Sequence, residues 1–240
     1  MSEKVFLSVI IPAYNEAKRL PATVKKCALF LALQPYISEL IVVENGSQDN
    51  TFALAQELSQ RLSKANVLVK AIKDEGRGKG RAVRSGMLEA TGEYRFMADA
   101  DLSMPIEEVT RFLPPALSGY DVAIGSREAS DAVRHNEPTY RHLGGRVMNS
   151  IIRLLALPGL QDTQCGFKCF RDAAAEELFS KQTQMGWAFD VEILYLARKM
   201  NYTIVEVPIN WYYNPESKLN LIRDALQMIK DIYSIRNNAA

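Results

Sequence analysis

The chain has 240 residues, of which 48% are hydrophobic and 24% charged, with a formal net charge of +1. That is enough chain for a sizeable core and too apolar a composition for disorder. The near-zero balance excludes any charge argument for nucleic-acid binding, and three cysteines (Cys27, Cys165, Cys169) are too few for a disulfide framework.

Reduced thiols in a cytoplasmic protein fit that usage. The N-terminal apolar run is too short for a signal peptide, and no stretch of about 18 apolar residues suggests a membrane span. No internal repeat or low-complexity tract is present.

In chain order, Val5 to Ile11 reads as a buried strand halted by Pro12, with Pro12-Ala13-Tyr14-Asn15-Glu16 at its end. Pro21 opens a helix to about Leu33. A second strand, Leu40 to Val43, ends in Glu44-Asn45-Gly46-Ser47, and Asp49 or Thr51 caps a helix to about Ser63. Val67 to Ile72 is a third strand. The glycine-rich loop Asp74 to Gly80 follows, then a helix from about Gly80 to Glu89. Gly76, Gly78 and Gly80 would let backbone approach a ligand, and Arg77, Lys79 and Arg81 bring positive charge.

A fourth strand from Tyr94 stops at Asp99 and Asp101. Alternate residues of an extended chain point the same way, so both carboxylates could aim at one spot. Two carboxylates there repel unless a cation or shared proton lies between them, and hard Mg2+ or Mn2+ suits such a pair. A surface turn with two solvated acids is the alternative. Strand and helix in alternation imply an α/β fold with a mostly parallel sheet flanked by helices, which binds ligands beyond the carboxyl ends of its strands. The four polar clusters fall at such ends.

Past Asp101, Pro105 to Leu113 is a short helix and Asp121 to Gly125 a fifth strand. Ser126 and Arg127 then open a lysine-free segment with Arg134, Arg141, Arg146 and Arg153. Arginine forks match phosphate, so two or more of these arginines are expected on a phosphate. Pairing with Glu128, Asp131 and Glu137 is the alternative. His135 and His142 read as loop or packing residues. Arg146 to Leu157 is a helix, and Asp162 to Lys168 is a turn running into a strand. Cys165 and Cys169 read as a buried structural pair. Asp190 stands at a helix start, as a cap or as a carboxylate facing the cleft. Thr203 to Val207 is the last strand. The final helix, to about Arg236, carries an apolar stripe through Leu219, Ile222, Ala225, Leu226, Ile229 and Ile232/Tyr233. That stripe packs on the core or meets a membrane surface with Arg223, Lys230 and Arg236.

SVIIPAYNE, IVVENGSQDNT, DEGRGKGRAVRSG, DADLSMP and IGSR, in this order, resemble the inverting glycosyltransferases of family 2, which have the GT-A fold. DTQCGFKCF, WAFDVEILYLA and the W-x5-SKL of Trp211 to Leu219 resemble the dolichyl-phosphate β-glucosyltransferase branch. The resemblance implies one GT-A domain over 1–240, with a nucleotide-sugar half (1–101) and an acceptor half (102–240). Pro12, Ala13, Tyr14, Glu16 and Glu44 would hold the uridine of UDP-glucose, and Asp74, Gly78 and Lys79 would line the same pocket. Asp99 and Asp101 would hold the metal on the diphosphate. Ser126, Arg127, Arg134, Arg141 and Arg146 would bind the phosphate of a polyprenyl acceptor. Asp190 falls where the family keeps a carboxylate near the acceptor. Three departures stand out. Glu44-Asn45 replaces a frequent pair of aspartates. Ser103 stands where mannosyl relatives carry a metal-assisting glutamine. The N-terminal anchor of eukaryotic members is not seen, so either contact with the cytoplasmic membrane face is peripheral or the acceptor is not a long lipid.

Overall fold

The structure is a computed structural model that describes residues 4–214 and 221–238, the side chains of 140, 141, 221–226 and 238 excepted. Arg141's side chain and the Ser217-Lys218-Leu219 motif therefore lie outside the described residues, as do Ile222, Arg223, Ala225 and Leu226 as side chains.

The first half alternates strictly: β1 (Leu7–Ala13), α1 (Leu20–Ala32), β2 (Ser38–Glu44), α2 (Thr51–Leu62), β3 (Val67–Lys73), α3 (Lys79–Glu89) and β4 (Tyr94–Ala98). A 3₁₀ helix, Ile106–Phe112, leads to β5 (Val122–Ser126), the short β6 (Val133–His135) and α4 (Thr139–Leu155). Then come β7 (Phe167–Arg171), α5 (Asp172–Lys181), α6 (Phe189–Lys199), β8 (Ile204–Pro208), β9 (Asn210–Tyr212) and α7 (Leu221–Asn238).

The main sheet has strand order β3-β2-β1-β4-β7-β5-β8, and β6 pairs with β9 apart from it. All pairs in the main sheet are parallel except those made by β7, which runs antiparallel between β4 and β5. β1 shows why such a strand reads as a continuous apolar run: it is covered on both faces. Val9 and Ile11 enter one core with Phe96, Phe112 and Phe167, while Ile10 enters the other with Met97, Phe170 and Phe179. Phe96, Phe112 and Phe167 meet edge to face at centroid distances of 4.4–5.5 Å, the arrangement that ring quadrupoles favour.

The structure differs from the sequence reading in four places. β1 runs through Pro12 to Ala13, because its ladder with β4 ends at Ile10–Met97 and Pro12 is in register with Val43 of β2 alone. α4 begins at Thr139, a full seven residues before the expected start. α5, with its Ala173-Ala174-Ala175 first turn, was not anticipated, and neither was the β6–β9 pair. All three cysteines are buried free thiols, with burial pushing each up to about 12. Among the described residues, no helix is long and apolar enough to cross a membrane.

One buried acid ties the parallel half together. Glu39 of β2 is fully buried. It accepts hydrogen bonds from the Ser8 hydroxyl (2.6 Å) and the Thr91 N–H (2.6 Å), and it pairs with Lys70 Nζ of β3 at 2.7 Å. Burial opposes its ionisation, but Lys70, Ser8 and Thr91 outweigh burial and hold the carboxyl below its usual range. A depressed acid stabilises the fold above its unfolded pKa, about 4.3 for Glu, and the contribution fades as pH falls through the lower folded value. Glu39→Ala is expected to lower stability by about 2–4 kcal/mol. Denaturant unfolding curves should show this loss at neutral pH and a smaller gap between the two proteins in acid. An equal gap at both pH values would mean the carboxylate charge contributes nothing.

Candidate active site

The parallel register brings four loops to one edge. Ala13 of β1 lies beside Glu44 of β2, and Glu44 beside Lys73 of β3. The loops leaving these strands are stitched together. The Asn15 N–H donates to the Ser47 hydroxyl (3.0 Å), the Glu16 N–H to the Thr51 hydroxyl (2.9 Å), and the Asn45 side-chain amide to the Gly78 carbonyl (2.7 Å). The Glu44 carbonyl accepts from the Asp74 N–H at 2.8 Å. The buried Glu44 carboxylate closes its own turn on the Ser47 N–H. Glu16 pairs with Arg19 at 2.5 Å, and Tyr14 stands half open to solvent at the rim.

Asp74 has three donors: the Gly76 N–H (2.8 Å), Arg81 Nε (2.6 Å) and the Ser85 hydroxyl. Burial acts against its ionisation, yet these partners hold its carboxyl below the usual range. Asp74 thus fixes the glycine loop. The close approach at Gly78 is to the protein's own backbone. Its φ is +112°, and a Cβ there would stand 2.1 Å from the Met185 carbonyl oxygen. Two N–H groups at the α3 N-terminus, of Gly80 and Arg81, donate to the Gly186 and Met185 carbonyls at 3.2 and 3.1 Å. Glu192 holds the 183–184 backbone from below, accepting from both N–H groups.

Lys79, the first residue of α3, reaches across to Asp99 at 2.5 Å, with the Trp187 ring 5.4 Å from its Nζ. Burial alone would lower the ammonium's pKa. Asp99, Asp190 and Asp101 outweigh it and raise the group. Asp101 follows on a tight turn in which its carboxylate accepts the Ser103 N–H at 3.0 Å. Its carboxyl is raised, first by its crowded setting and then by the charge of Asp99. One ammonium against two carboxylates leaves one formal negative charge over at this edge. Among the described residues, no third carboxylate, histidine or cysteine completes a ligand set.

The antiparallel β7 carries the second half into this edge, because its N-terminal end lies where β4 and β5 end. Ala98 pairs with Phe167, which sets Gly166 against Asp99. A Cβ on residue 166 would stand 2.0 Å from Asp99 Oδ2, so any larger residue there would push that carboxylate from its present position. Lys168 of β7, 1% exposed, pairs with Asp190 of α6, 4% exposed, at 2.5 Å, and donates to the Cys165 carbonyl. Asp190 stands in the first turn of α6 without capping it; the N-cap is Ala188.

Two arginines of the segment, Arg127 and Arg134, are held in ion pairs. Arg127 grips Asp162 bidentately, Nε–Oδ2 2.6 Å and Nη2–Oδ1 2.8 Å. The guanidinium holds Asp162 down to about 2 against its burial. Arg134 pairs with Glu128 (2.5 Å) and Glu137 (2.7 Å), the acids named as its alternative partners. The Trp211 ring lies 5.6 Å from Arg127 Cζ and 5.9 Å from Arg134 Cζ. Ser126 is fully buried, and His135 stacks on Tyr212 at 4.2 Å. Arg146 is exposed on α4, and no carboxylate among the described residues pairs with it. The sequence reading did not single out Asp162, Gly166, Lys168 or Trp187 for these roles. Lys168 stands between Phe167 and Cys169-Phe170, where a charge inside an apolar run was the available signal; Asp162, in the polar turn before it, carried none.

The glycosyl transferase family 2 model matches residues 8–179. The chain is 34% identical over 98% of its length to a dolichyl-phosphate beta-glucosyltransferase of Dictyostelium discoideum, and 37% identical over 98% to that of Drosophila melanogaster. It covers 75% of each. Among solved structures, glucosyl-3-phosphoglycerate synthase of Mycobacterium tuberculosis bound to UDP superposes with a TM-score of 0.69 at 18% identity, covering 96% of this chain and 80% of that one. The same enzyme with Mn2+, UDP-glucose and phosphoglyceric acid also gives 0.69 at 18% identity, over 96% and 79%. The fold is that of the GT-A glycosyltransferases, and the chain belongs to glycosyl transferase family 2.

Proposed function

We propose that this glycosyltransferase moves glucose from UDP-glucose to a polyprenyl monophosphate, inverting the sugar carbon. The observation that carries the donor half is the Asp99–Asp101 turn, already gripping one cation and still one charge short. The acceptor half is supported by relatives that bear the dolichyl-phosphate beta-glucosyltransferase name over 98% of this chain. A divalent Mg2+ or Mn2+ fits between Asp99 and Asp101 and, when bound, would neutralise charge on the departing diphosphate. With only two carboxylates on hand, water and the diphosphate would fill the other positions. Tyr14, Glu16 and Glu44, on loops already stitched together beside Pro12 and Ala13, form a rigid seat for the uridine. Lys79 offers a positive charge beside the diphosphate.

A phosphate acceptor has a second pKa near 6 and is mostly dianionic at neutral pH, so it needs alignment and charge more than a base. Arg127 and Arg134 are committed to Asp162, Glu128 and Glu137, three acids against two bases. We assign them to bracing the loop after β5 and its Trp211 platform, and leave direct phosphate contact to Arg146 with Arg141. Asp190, clamped by Lys168, would orient the acceptor side of the cleft.

Three outcomes check this reading. A panel of nucleotide sugars tested against a polyprenyl phosphate should give a lipid-phosphate glucoside with UDP-glucose, and chelation should abolish it. Failure of every donor would remove the acceptor assignment. Asp99→Asn and Asp101→Asn should each cost about 10²–10³-fold in turnover, measured by UDP release, and activity within twofold of wild type would exclude the metal role. Asp190→Asn should retain turnover within about tenfold if the acceptor is a phosphate, and should lose about 10²–10⁴-fold if it is a hydroxyl that needs a base. The substitution also strips the buried Lys168 ammonium of its counter-ion, at about 3–5 kcal/mol, so turnover is compared at a temperature where circular dichroism shows the variant folded.

A further inference from the structure

Lys79 and a divalent ion compete for the same carboxylate. The Lys79 ammonium takes Asp99 Oδ1 at 2.5 Å. The other oxygen, Oδ2, lies against Gly166, so closely that a Cβ on that residue would stand 2.0 Å from it. Asp101 is turned onto its own loop, its Oδ1 accepting the Ser103 N–H at 3.0 Å. A hard divalent ion is bound through carboxylate oxygens, and at Asp99 an amine already holds the accessible one. An ammonium and a dication on one carboxylate repel each other, even in water.

The backbone of this lysine is fixed, and its charge is free to move. The N–H groups of Gly80 and Arg81 are tied to the Gly186 and Met185 carbonyls, and the Gln182 amide donates to the Gly80 carbonyl at 2.9 Å. Beyond the Cα, a flexible four-carbon stem carries the ammonium. Its side chain is only 16% exposed, with Nζ 5.4 Å from the Trp187 ring. Asp99, Asp190 and Asp101 all favour the charged form of the amine. The ammonium therefore leaves this place only when another anion receives it. A diphosphate is such an anion, and it also brings oxygen ligands for a metal.

We propose that Lys79 is an internal counter-ion that makes this site select a metal–diphosphate complex over the free metal ion. Without nucleotide, Lys79 holds Asp99 and keeps a divalent ion loosely bound. When a diphosphate enters, Lys79 swings onto its oxygens, and Asp99 is freed for the metal that the same diphosphate chelates. The charges match before and after. Two carboxylates against one ammonium leave one negative charge over. Adding a dication together with the doubly charged diphosphate of a nucleotide sugar leaves that balance as it was. A metal entering alone would overturn it and would meet the ammonium. This inference rests on the donor reading above, in which Asp99 and Asp101 bear the metal and a nucleoside diphosphate departs.

The test titrates the full chain with Mn2+, with and without UDP, and reads free Mn2+ by electron paramagnetic resonance. In the wild type, UDP should tighten Mn2+ binding by about tenfold or more, and Mn2+ should tighten UDP by the same factor. Lys79→Met should bind Mn2+ without UDP about tenfold more tightly than wild type, and its further gain from UDP should shrink. A gain in affinity is not what a damaged fold produces, and circular dichroism should match the wild type. Lys79→Arg keeps the charge and should bind Mn2+ alone as weakly as wild type. Adding Asp99→Asn to Lys79→Met should remove the gained affinity, which places the ion at Asp99. Three results each overturn the proposal: Mn2+ binding by Lys79→Met no tighter than wild type, equal tightening in Lys79→Arg, or wild-type Mn2+ binding that UDP does not change. Transfer from UDP-glucose separates this proposal from the function it rests on. Tighter Mn2+ binding by Lys79→Met, in a protein whose wild type transfers no glucose, keeps the counter-ion and removes the donor assignment. Wild-type glucose transfer with no tightening in Lys79→Met keeps the donor assignment and removes the counter-ion.

Discussion

Two carboxylates cannot be held at one sheet edge without a positive charge close by, and much of this molecule is arranged around that requirement. Asp99 and Asp101 follow β4 at the sheet edge, Asp99 partly and Asp101 more openly exposed to solvent. Lys79 answers them from the start of α3, on a helix that begins there because Gly78 takes a φ of +112° against the Met185 carbonyl. The 182–187 loop, which that carbonyl belongs to, is in turn held by Glu192 of α6. The cation that balances the acids is therefore placed by a chain of contacts running from the glycine loop to the far half of the protein. A flexible lysine on a loose loop would spread its charge over many positions; this one is aimed.

The antiparallel β7 makes the two halves one site. A parallel strand in its place would present its C-terminal end at the cleft edge. Reversed, it delivers its own N-terminal end and the residues just before it: Asp162 to Arg127, Gly166 to Asp99, and Lys168 to Asp190. Each of these is a close contact, and each joins an element before residue 130 or after 185 to the same seven-residue stretch, 162–168. The buried Lys168–Asp190 pair costs desolvation that a hydrophobic pair would not. What it gives in return is a fixed orientation for α6 at the edge of the cleft.

The parallel half was legible in the sequence for a physical reason: strands covered on both faces read as apolar runs, and the polar residues that follow them must be at the carboxyl edge. Asp99, Asp101, Glu44, Asp74 and Lys79 all fell out of that rule. The second half was less legible because local pattern does not record strand direction. Phe167–Arg171 has the same apolar look whether it runs up or down, yet its direction decides what Gly166 touches. Pairing is equally invisible along the chain. Arg127 and Asp162 are 35 residues apart, so the arginine segment looked like a phosphate site when two of its guanidiniums had already found acids. The missed start of α4 has the same origin: Thr139 to Gly145 carries little inward periodicity, since its apolar residue Leu143 faces out.

That charge pairing changes how the acceptor side must work. With Asp162, Glu128 and Glu137 against Arg127 and Arg134, the loop after β5 carries a surplus negative charge and by itself would repel a phosphate dianion. On the reading proposed above, attraction comes from Arg146 of α4, which no carboxylate among the described residues pairs with. The same helix that offers this charge also turns leucine and valine outward. A phosphate on an isoprenoid tail asks for both features within one helical turn of each other, because its charge and its hydrocarbon are joined by a single bond.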